Sequence, residues 1–479
     1  MSPLLVVFVL CVYVGLLMVV SWRASMRGDN STFFVAGRNQ SVWTVTLGRI
    51  TASMSGVTFV SVPGMVLTGS WTYLQMAMGF VLGQLIIAYV LVPMYYRLGV
   101  VSVYEYLSQR FGLMARKSGA WLFFVSKLLG AAVRLMLVCV VLQTLVWDSL
   151  GVGFAANVTL TMTVVWLYTF RGGVGSVVRG DVVKTVVLLG TVIAVAVLVA
   201  RQSACDVWTM ASESVREMRV FDWDWNSPTH FVKHFVAGVL SVVAMTGLDQ
   251  DMMQRTLSCR TMVDARRNVV VSGVLQFGVI AMLLTLGAMM AEYLQRADLP
   301  IPVVSDELFP VVAVSSGLPA IVGVLFVLGL AASSFSSTAS SVTALTTTLL
   351  LDILEGESRF GQRLLRVRKM VHCCVTLCLA IIIVVMHNLS DASAIDVVFR
   401  LAAYTYGPIL GLFAFGGFTR RNPHPTAIWV GSIVAPLLSL VIAIVTPLIT
   451  DGFRFGHDIL LVNAAIMFVG LLIFSRKNK

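Results

Sequence analysis

The chain has 479 residues, of which 58% are hydrophobic and 12% charged, and its formal net charge at pH 7 is +11. A mean hydropathy of +0.90 excludes a water-soluble globular domain with a polar surface. The composition predicts an all-α polytopic membrane protein, because long apolar segments form helices in lipid, whereas a barrel needs short alternating strands.

Windows of about 20 apolar residues, the length that crosses a bilayer, predict about 13 transmembrane helices. In chain order they lie near residues 2–21, 42–69, 72–96, 118–146, 152–170, 182–200, 230–248, 268–291, 316–351, 370–386, 396–418, 425–448 and 458–475.

The distribution of Lys and Arg over the connecting segments predicts the orientation. With the N-terminus outside, 23 of the 34 basic residues fall in cytoplasmic segments and 5 in outer loops. We therefore expect a multi-pass protein of the cell membrane with a cytoplasmic C-terminus. Because the excess charge is spread over many loops, we expect no nucleic-acid partner. Lys127 and Arg400 lie nearer span ends and are expected to snorkel.

The second and seventh predicted spans contain helix-breaking residues. The stretch LGRITASMSGVTFVSVPG, residues 47–64, combines Gly, Ser, Thr and Pro, and the seventh span contains Gly238 and Gly247. Irregular backbone at membrane depth is tolerated only where protein or a water-filled cavity satisfies it. Two broken helices five spans apart indicate an inverted-repeat transporter with its binding site near the bilayer midplane.

The ninth span carries an unusual density of hydroxyl groups, with 11 Ser or Thr residues in the 16 positions from Ser333 to Thr348. At 100° per residue, one helix face carries Ser333, Ser336, Ser337 and Ser340. Such a face, together with carbonyls released by a broken neighbour, would suit sodium. The alternative is that these hydroxyls bond to the i−4 carbonyl and allow close helix packing.

Seven stretches in the same order resemble the sodium:solute symporter family, over nearly the whole chain from about residue 30. They are FFVAGRNQSVW (33–43), ASMSGVTFVSVPG (52–64), YRLGVVSVYEYLSQRFG (96–112), GGVGSVVRGD (172–181), GLDQDMMQRTLSCR (247–260), ASSFSSTASSVTALTTTLLLDIL (332–354) and YGPILGLFAFGGFTRR (406–421).

The resemblance implies a leucine-transporter-type core of two inverted five-helix repeats, residues 42–200 and 229–419. An extra helix and loop (1–41) precede the core, an outer loop (201–228) divides it, and two helices with a basic tail (420–479) follow. It also implies sodium-coupled uptake of a small organic solute by alternating access, and no enzymatic activity. The implied sodium ligands are the carbonyls of Thr51, Met54 and Ser333 and the hydroxyls of Ser336 and Ser337.

The chain departs from the family pattern at two places. Gly180 and Asp181 stand where the family usually has Thr-Asp, and Lys184 replaces a Gln. Asp181, which the resemblance places on the sodium pathway to the cytoplasm, is therefore expected to be partly neutralised by Lys184. Ser53 stands where the proline-permease branch has an acidic residue, which argues against proline as the solute.

Charged residues inside spans are costly and so indicate function. Arg134 lies well inside the fourth span and could bind a substrate carboxylate, as the sialic-acid transporters of the family do with an arginine on this helix. The alternative is an internal ion pair with Asp249 or Asp396. Further candidates for the substrate cavity are Thr58, Asp249, Tyr404 and Tyr406. The two tyrosines would form an aromatic gate or simply pack.

Other mechanisms remain open at this point. The same fold could couple transport to protons, with Asp181 as carrier. A channel would conduct far faster than a transporter turns over. A membrane sensor or enzyme would carry an added cytoplasmic domain or a catalytic constellation, and no such constellation is recognisable.

Overall fold

The structure is a computed structural model that describes residues 3–24, 30–216, 218–225, 227, 229–315, 317–388, 394–450, 455 and 459–476. Among them, eight helical segments are long and apolar enough to cross a membrane. They are Pro3–Arg23, Tyr73–Leu98, Leu113–Leu150, Val174–Gln202, Met262–Arg296, Ile321–Ile353, Gly356–His387 and Pro425–Ile449.

Two further spans are bent pairs of helices. In the first broken span, Val42–Ser53 meets Gly56–Gly69 at 62°, and in the second broken span, Phe231–Gly247 meets Gln250–Thr256 at 71°. These are the two positions at which the sequence predicts broken helices. The second broken span continues past its predicted end at residue 248, so Arg255 is a buried helical residue and not a loop charge.

The remaining apolar helices are Phe154–Thr169, Ala394–Phe418 and Ile459–Ile473. Length and composition alone therefore identify eight spans, or up to ten with each bent pair counted once. The total of about 13 stays a prediction that also requires these three helices. Within the described part of the chain, the only strands, Asn422–Pro423 and Ser475–Arg476, pair antiparallel beside the last two helices.

Shorter elements connect the spans. The α-helical connections are Asn30–Val35, Glu105–Phe111, Val207–Val215 and Leu308–Ser315. Single 3₁₀ turns occur at Ala36–Arg38, Asp148–Leu150, Ser305–Glu307 and Gly361–Arg363. Wider π-helical turns lie within spans at Ile87–Leu91, Gln143–Trp147, Val243–Gly247 and Thr348–Ile353.

Each broken span restarts with a side-chain cap. Ser55 Oγ accepts a hydrogen bond from the Thr58 backbone N–H at 3.3 Å, and Asp249 Oδ1 accepts one from the Met252 N–H at 3.1 Å. The caps satisfy donors at the new helix start, while carbonyls of the turn before each break lose their helical partners. At the second break, the carbonyls of Gly247 and Leu248 accept hydrogen bonds from the hydroxyls of Tyr95 and Tyr104.

The segment Ile321–Thr347, here called the serine-rich helix, packs closely against the first break. A Cβ atom added to Gly56 would clash with Ser334 Oγ and lie 2.9 Å from Val138 Cγ2, so position 56 has no room for a side chain. Every residue from Leu330 to Thr348 is buried, which places the hydroxyl run in the interior of the bundle. This packing positions the site described below.

The loop between residues 201 and 229, predicted to lie outside, is held by its own polar contacts. Asp222 accepts hydrogen bonds from Ser227 Oγ and Thr229 Oγ1, each at 2.6 Å, and its backbone N–H donates to Gln75 Oε1 at 3.2 Å. The two hydroxyl donors lower the pKa of the Asp222 carboxyl to about 2. The hydrogen bond between Asp222 and Gln75 attaches the loop to the start of the helix Tyr73–Leu98.

Candidate functional site

A cavity of about 160 Å³ lies where the two breaks face each other. Polar side chains from several helices line it, together with apolar residues such as Met65 and Phe80. Its polar lining comprises Ser53, Ser55, Thr58, Ser61, Tyr73, Ser126, Lys127, Arg134, Ser241, Thr246, Asp249, Asp251, Gln276, Ser337 and Tyr406.

Four of the five predicted substrate residues line this cavity, namely Thr58, Arg134, Asp249 and Tyr406. Tyr406 Oη donates a short hydrogen bond to Asp249 Oδ2, so the tyrosine is fixed against the second break. Tyr404 is not among the lining residues. It is partly buried against a neighbouring hydrophobic cluster, and its carbonyl accepts a bond from Asn463 Nδ2 at 2.9 Å. The assignment of these five residues to substrate stays a prediction.

Arg134 faces the cavity without an internal counter-ion among the described residues. No described carboxylate forms an ion pair with it, and its Nε atom is buried without a hydrogen-bond partner. Asp249, one of the two partners considered from sequence, pairs with Lys127 instead. The side chain of Asp396, the other, lies outside the described residues. A buried donor with no acceptor is costly, so the guanidinium is available to an anion in the cavity.

The expectation that Lys127 snorkels is wrong. The helix containing it begins at Leu113, so Lys127 lies in its middle, and the residue is 7% exposed. Its Nζ atom lies 3.0 Å from Asp249 Oδ2 and 2.7 Å from Asp251 Oδ2. The ammonium group points inward because it forms ion pairs with two buried carboxylates at the second break. The side chain of Arg400, for which the same was expected, lies outside the described residues.

A continuous series of buried charges leads from this pair away from the cavity. Arg255 Nε lies 3.7 Å from Asp251 Oδ1, and Arg255 Nη1 forms a short ion pair with Asp181 Oδ2. Lys184 Nζ lies 3.1 Å from Asp181 Oδ1 and ends the series. We call the six residues, with charges of alternating sign, the ion-pair chain: Asp249, Lys127, Asp251, Arg255, Asp181 and Lys184.

Two of the five predicted sodium residues, Thr51 and Ser336, contact Asp181 at the inner end of the ion-pair chain. Ser336 Oγ donates to Asp181 Oδ1 at 2.6 Å, and Thr51 Oγ1 donates to the Asp181 carbonyl at 3.4 Å. Met54 directly follows the last residue of the first helix segment, Ser53. Ser333 and Ser337 lie on the same serine-rich helix, and Ser337 also lines the cavity. The hydroxyl oxygens of Thr51 and Ser336 are thus close to Asp181, and oxygen donors of this kind suit a hard monovalent cation. Sodium binding by these five residues stays a prediction.

The hydroxyl run divides into two parts. Ser341, Thr343, Thr346 and Thr347 each donate to the carbonyl four residues earlier, at 2.7 to 2.9 Å. For the three threonines the packing alternative is correct, whereas Ser341 Oγ also lies 3.4 Å from Asp251 Oδ2. Ser336 and Ser340 instead donate to carboxylates of other helices, Asp181 and Asp251. The polar face that helix geometry predicts therefore donates hydrogen bonds to acids of the ion-pair chain through Ser336 and Ser340.

The predicted contact between Asp181 and Lys184 is present. Three members of the ion-pair chain, Lys127, Asp251 and Arg255, were not predicted from the sequence. Asp251 and Arg255 are four residues apart on one helix, the spacing of a helical ion pair. This spacing, directly after the predicted break in the seventh span, was the available signal. Lys127 gives no such local signal, because its partners lie on a helix more than 120 residues later.

A sequence profile described as "Sodium:solute symporter family" matches residues 33–434. Among curated relatives, the human sodium/iodide cotransporter is 26% identical over 414 residues, which cover 83% of this chain and 63% of that protein. This chain therefore spans less than two thirds of the human relative. The sodium/sialic acid symporter NanT of Aliivibrio fischeri is 24% identical over 441 residues, 89% of this chain and 85% of that protein.

Solved structures show the same fold. A Na⁺-coupled sialic acid symporter, solved in a substrate-bound outward-open state, superposes with a TM-score of 0.84 at 18% sequence identity and covers 99% of both chains. A transporter of the nucleobase-cation-symport-1 family in a closed conformation superposes with a TM-score of 0.55 at 12% identity, over 93% of this chain and 94% of that one. The expected leucine-transporter-type architecture is confirmed by these neighbours.

Proposed function

This chain belongs to the sodium:solute symporter family, and from that premise we propose that it is a secondary active transporter that couples sodium entry to uptake of a small organic anion. The charged group of the solute is a carboxylate, bound in the cavity by Arg134. The protein resides in the cell membrane with its N-terminus outside, and the repeats 42–200 and 229–419 move against each other during transport.

The state of Arg134 carries the proposal about the solute. Every other cation that lines the cavity or belongs to the ion-pair chain has a carboxylate partner among the described residues, whereas Arg134 has none. A guanidinium binds a carboxylate through two parallel hydrogen bonds, which an ammonium cannot do. An incoming carboxylate would supply the acceptor that Arg134 Nε lacks.

The names of the relatives support an anionic solute. They include symporters for sialic acid from Aliivibrio fischeri and Proteus mirabilis, an iodide cotransporter and sodium-coupled monocarboxylate transporters. Each of these named solutes is an anion at neutral pH. A cavity whose uncompensated charge is positive agrees with that shared property.

Coupling follows from the position of the two sites on the first broken span. Thr51 and Met54 end the first half of that span and offer carbonyls to sodium, while Thr58 on the second half lines the cavity. Sodium would order the break and so fix the position of Thr58. Binding of the ion and of the solute therefore favour each other by the same free energy.

The geometry also supports alternating access. Arg116 Nε lies 2.8 Å from Asp352 Oδ1, Ser102 Oγ donates to Asp352 Oδ2 at 2.6 Å, and Lys117 Nζ lies 2.7 Å from Glu355 Oε1. In the proposed orientation these contacts join the two repeats on the cytoplasmic side. They would hold that side closed while the cavity takes up solute, and would separate when the solute is released.

Replacing Arg134 with Lys tests the carboxylate assignment. The charge remains but the two-pronged geometry is lost, which costs about 2 kcal/mol, or roughly 30-fold in apparent KM for the solute. The solute is first identified by thermal stabilisation of purified protein in sodium chloride against choline chloride, across amino acids, sugars, monocarboxylates and sialic acids. Uptake into proteoliposomes then gives both KM values.

The apparent KM for sodium should change far less than that for the solute. Arg97→Lys is the matched control, since Arg97 is exposed and remote from the cavity, and it should leave both KM values unchanged. Equal effects of Arg134→Lys on sodium and solute would contradict a direct carboxylate contact and indicate a structural ion pair.

A further inference from the structure

We propose that four basic residues at one end of two neighbouring helices bind the headgroup of an anionic phospholipid. We call them the basic cluster: Arg171, Arg363, Arg366 and Lys369. The inference goes beyond the proposed transport and does not depend on which solute or ion is carried. Two observations carry it, namely the missing counter-ions of these cations and the exposed apolar surface that adjoins them on the same helix face.

The basic cluster joins two helices that pack against each other. Arg363, Arg366 and Lys369 stand three residues apart at the start of the helix Leu364–His387. Arg171 follows the end of the helix Phe154–Thr169, which contacts the first one. Lys369 Nζ lies 5.7 Å from the ring centre of Phe170, the residue directly before Arg171. All four basic side chains are exposed, so they form one accessible cationic surface.

Acids of the same segment do not neutralise the basic cluster. Glu355 pairs with Lys117 at 2.7 Å and with Arg359 at 3.7 Å, and Glu357 lies near Glu105. Within the described part of the chain, no carboxylate forms an ion pair with any of the four cations. Like charges on neighbouring helix turns repel each other. An anion bound between these side chains would relieve that repulsion.

An exposed apolar stripe continues the helix face of Arg366. Met370, Leu377 and Ile381 are 67%, 61% and 56% exposed, and Cys373 among them is also exposed. At about 100° per residue, these four side chains lie within about 60° of Arg366 around the helix axis. On a membrane-spanning helix such a stripe contacts acyl chains. The cations and the apolar stripe therefore follow each other as the phosphate and the acyl chains do in a phospholipid.

An aromatic pair lies at the same level as the basic cluster. Trp166 is one helical turn before Phe170, and their ring centres are 4.7 Å apart. Trp is enriched where a membrane-spanning helix passes from the hydrocarbon into the headgroup region. Arg171 and Lys369, which adjoin Phe170, are therefore at headgroup depth. In the proposed orientation this end is cytoplasmic, the side on which anionic lipids attract basic segments.

The test is lipid binding by the purified full-length protein in neutral detergent, read by thermal stabilisation as phosphatidylglycerol or phosphatidylcholine is added. The native protein should respond to phosphatidylglycerol at a much lower concentration than to phosphatidylcholine. The triple variant Arg363→Gln, Arg366→Gln, Lys369→Gln should raise the apparent Kd for phosphatidylglycerol about 100-fold, because each cation near an anionic lipid surface contributes about fivefold.

A matched control removes the same charge elsewhere. Arg97, Arg267 and Arg420 are exposed residues of three separate segments. Their combined replacement by Gln should change the apparent Kd less than about threefold, since scattered charges act on the lipid only through screened fields. Equal losses in the two triple variants would overturn the inference, because net charge alone would then explain binding. Equal affinity of the native protein for phosphatidylcholine would overturn it as well.

Glycerol phosphate separates a lipid from a soluble phosphate, because it has the headgroup chemistry without acyl chains. It should neither stabilise the protein nor compete with phosphatidylglycerol, and effective competition would overturn the lipid assignment. Should the triple variant fail to fold, phosphatidylglycerol with a photoreactive acyl chain is cross-linked to the native protein. Labelling of residues 366–381 supports the inference, and labelling confined to other helices overturns it.

Discussion

Substitution of Lys127 by Met is the most direct test of the ion-pair chain. The change removes the cation between Asp249 and Asp251 and leaves a side chain of similar length. Lys127 lies 3.0 and 2.7 Å from the two acids, and all three side chains are at most 8% exposed. Breaking a buried pair by removing one partner costs about 3–5 kcal/mol, because the remaining charges lose their compensation inside the protein.

A control exists on the same helix. Lys117 pairs with Glu355 at 2.7 Å, a similar distance, but the two side chains are 24% and 25% exposed. Because water and salt screen such a pair, Lys117→Met should cost far less stability than Lys127→Met. The comparison isolates burial, since helix, residue type and pair distance are nearly matched.

The assay is chemical unfolding of the purified protein in detergent, followed by tryptophan fluorescence, with thermal inactivation as a second readout. Adding Asp251→Asn to Lys127→Met removes one of the uncompensated acids and should recover part of the lost stability. A cost for Lys127→Met as small as that for Lys117→Met would show that Lys127 reaches water, and would refute a buried chain of charges between the cavity and Asp181.

Two further outcomes are expected. The double substitution Ser336→Ala with Ser337→Ala should abolish sodium stimulation of uptake while the protein stays folded. Ser333→Ala is the matched control, because the predicted ligand of Ser333 is its carbonyl, which alanine retains. Unchanged sodium dependence of the double variant would contradict the sodium assignment. The low pKa of Asp222 means that its ionised form stabilises the loop between residues 201 and 229 fully above the unfolded pKa of about 4, and that this contribution is lost as the pH falls towards 2. Residues 218–225 of Asp222→Asn should exchange their amide hydrogens faster than those of the native protein at pH 7, with little difference at pH 2. Equal protection of the two proteins at pH 7 would contradict this stabilisation.

Much of the architecture could be predicted from the sequence because membrane solvation imposes strong local rules. An apolar stretch of about 20 residues must be helical, and Gly, Ser and Pro within it indicate a break; both bent spans are where these residues occur. The polar face of the serine-rich helix followed from the helical period alone. Its two parts could not be distinguished, because whether Ser336 bonds a carboxylate or a backbone carbonyl depends on which helix lies opposite.

The charges were harder to predict. Whether a lysine at a given depth turns to the headgroups or to a carboxylate depends on partners far along the chain. Lys127 was expected at the membrane surface and instead joins two acids of the second broken span. Arg255 was counted as a cytoplasmic loop charge and is 1% exposed beside Asp181. Only the contacts within one helix, between Asp181 and Lys184 and between Asp251 and Arg255, could be predicted from local spacing.

The ion-pair chain has an electrical consequence. A membrane potential does about 2.3 kcal/mol of work on each elementary charge that crosses 100 mV. The three acids and three bases of the ion-pair chain sum to zero, so a movement that carries all six together displaces no net charge through the field. The resting voltage of the cell then neither drives nor opposes that movement, and a voltage dependence of the transport cycle must come from other charges that move, such as Arg134 with its solute.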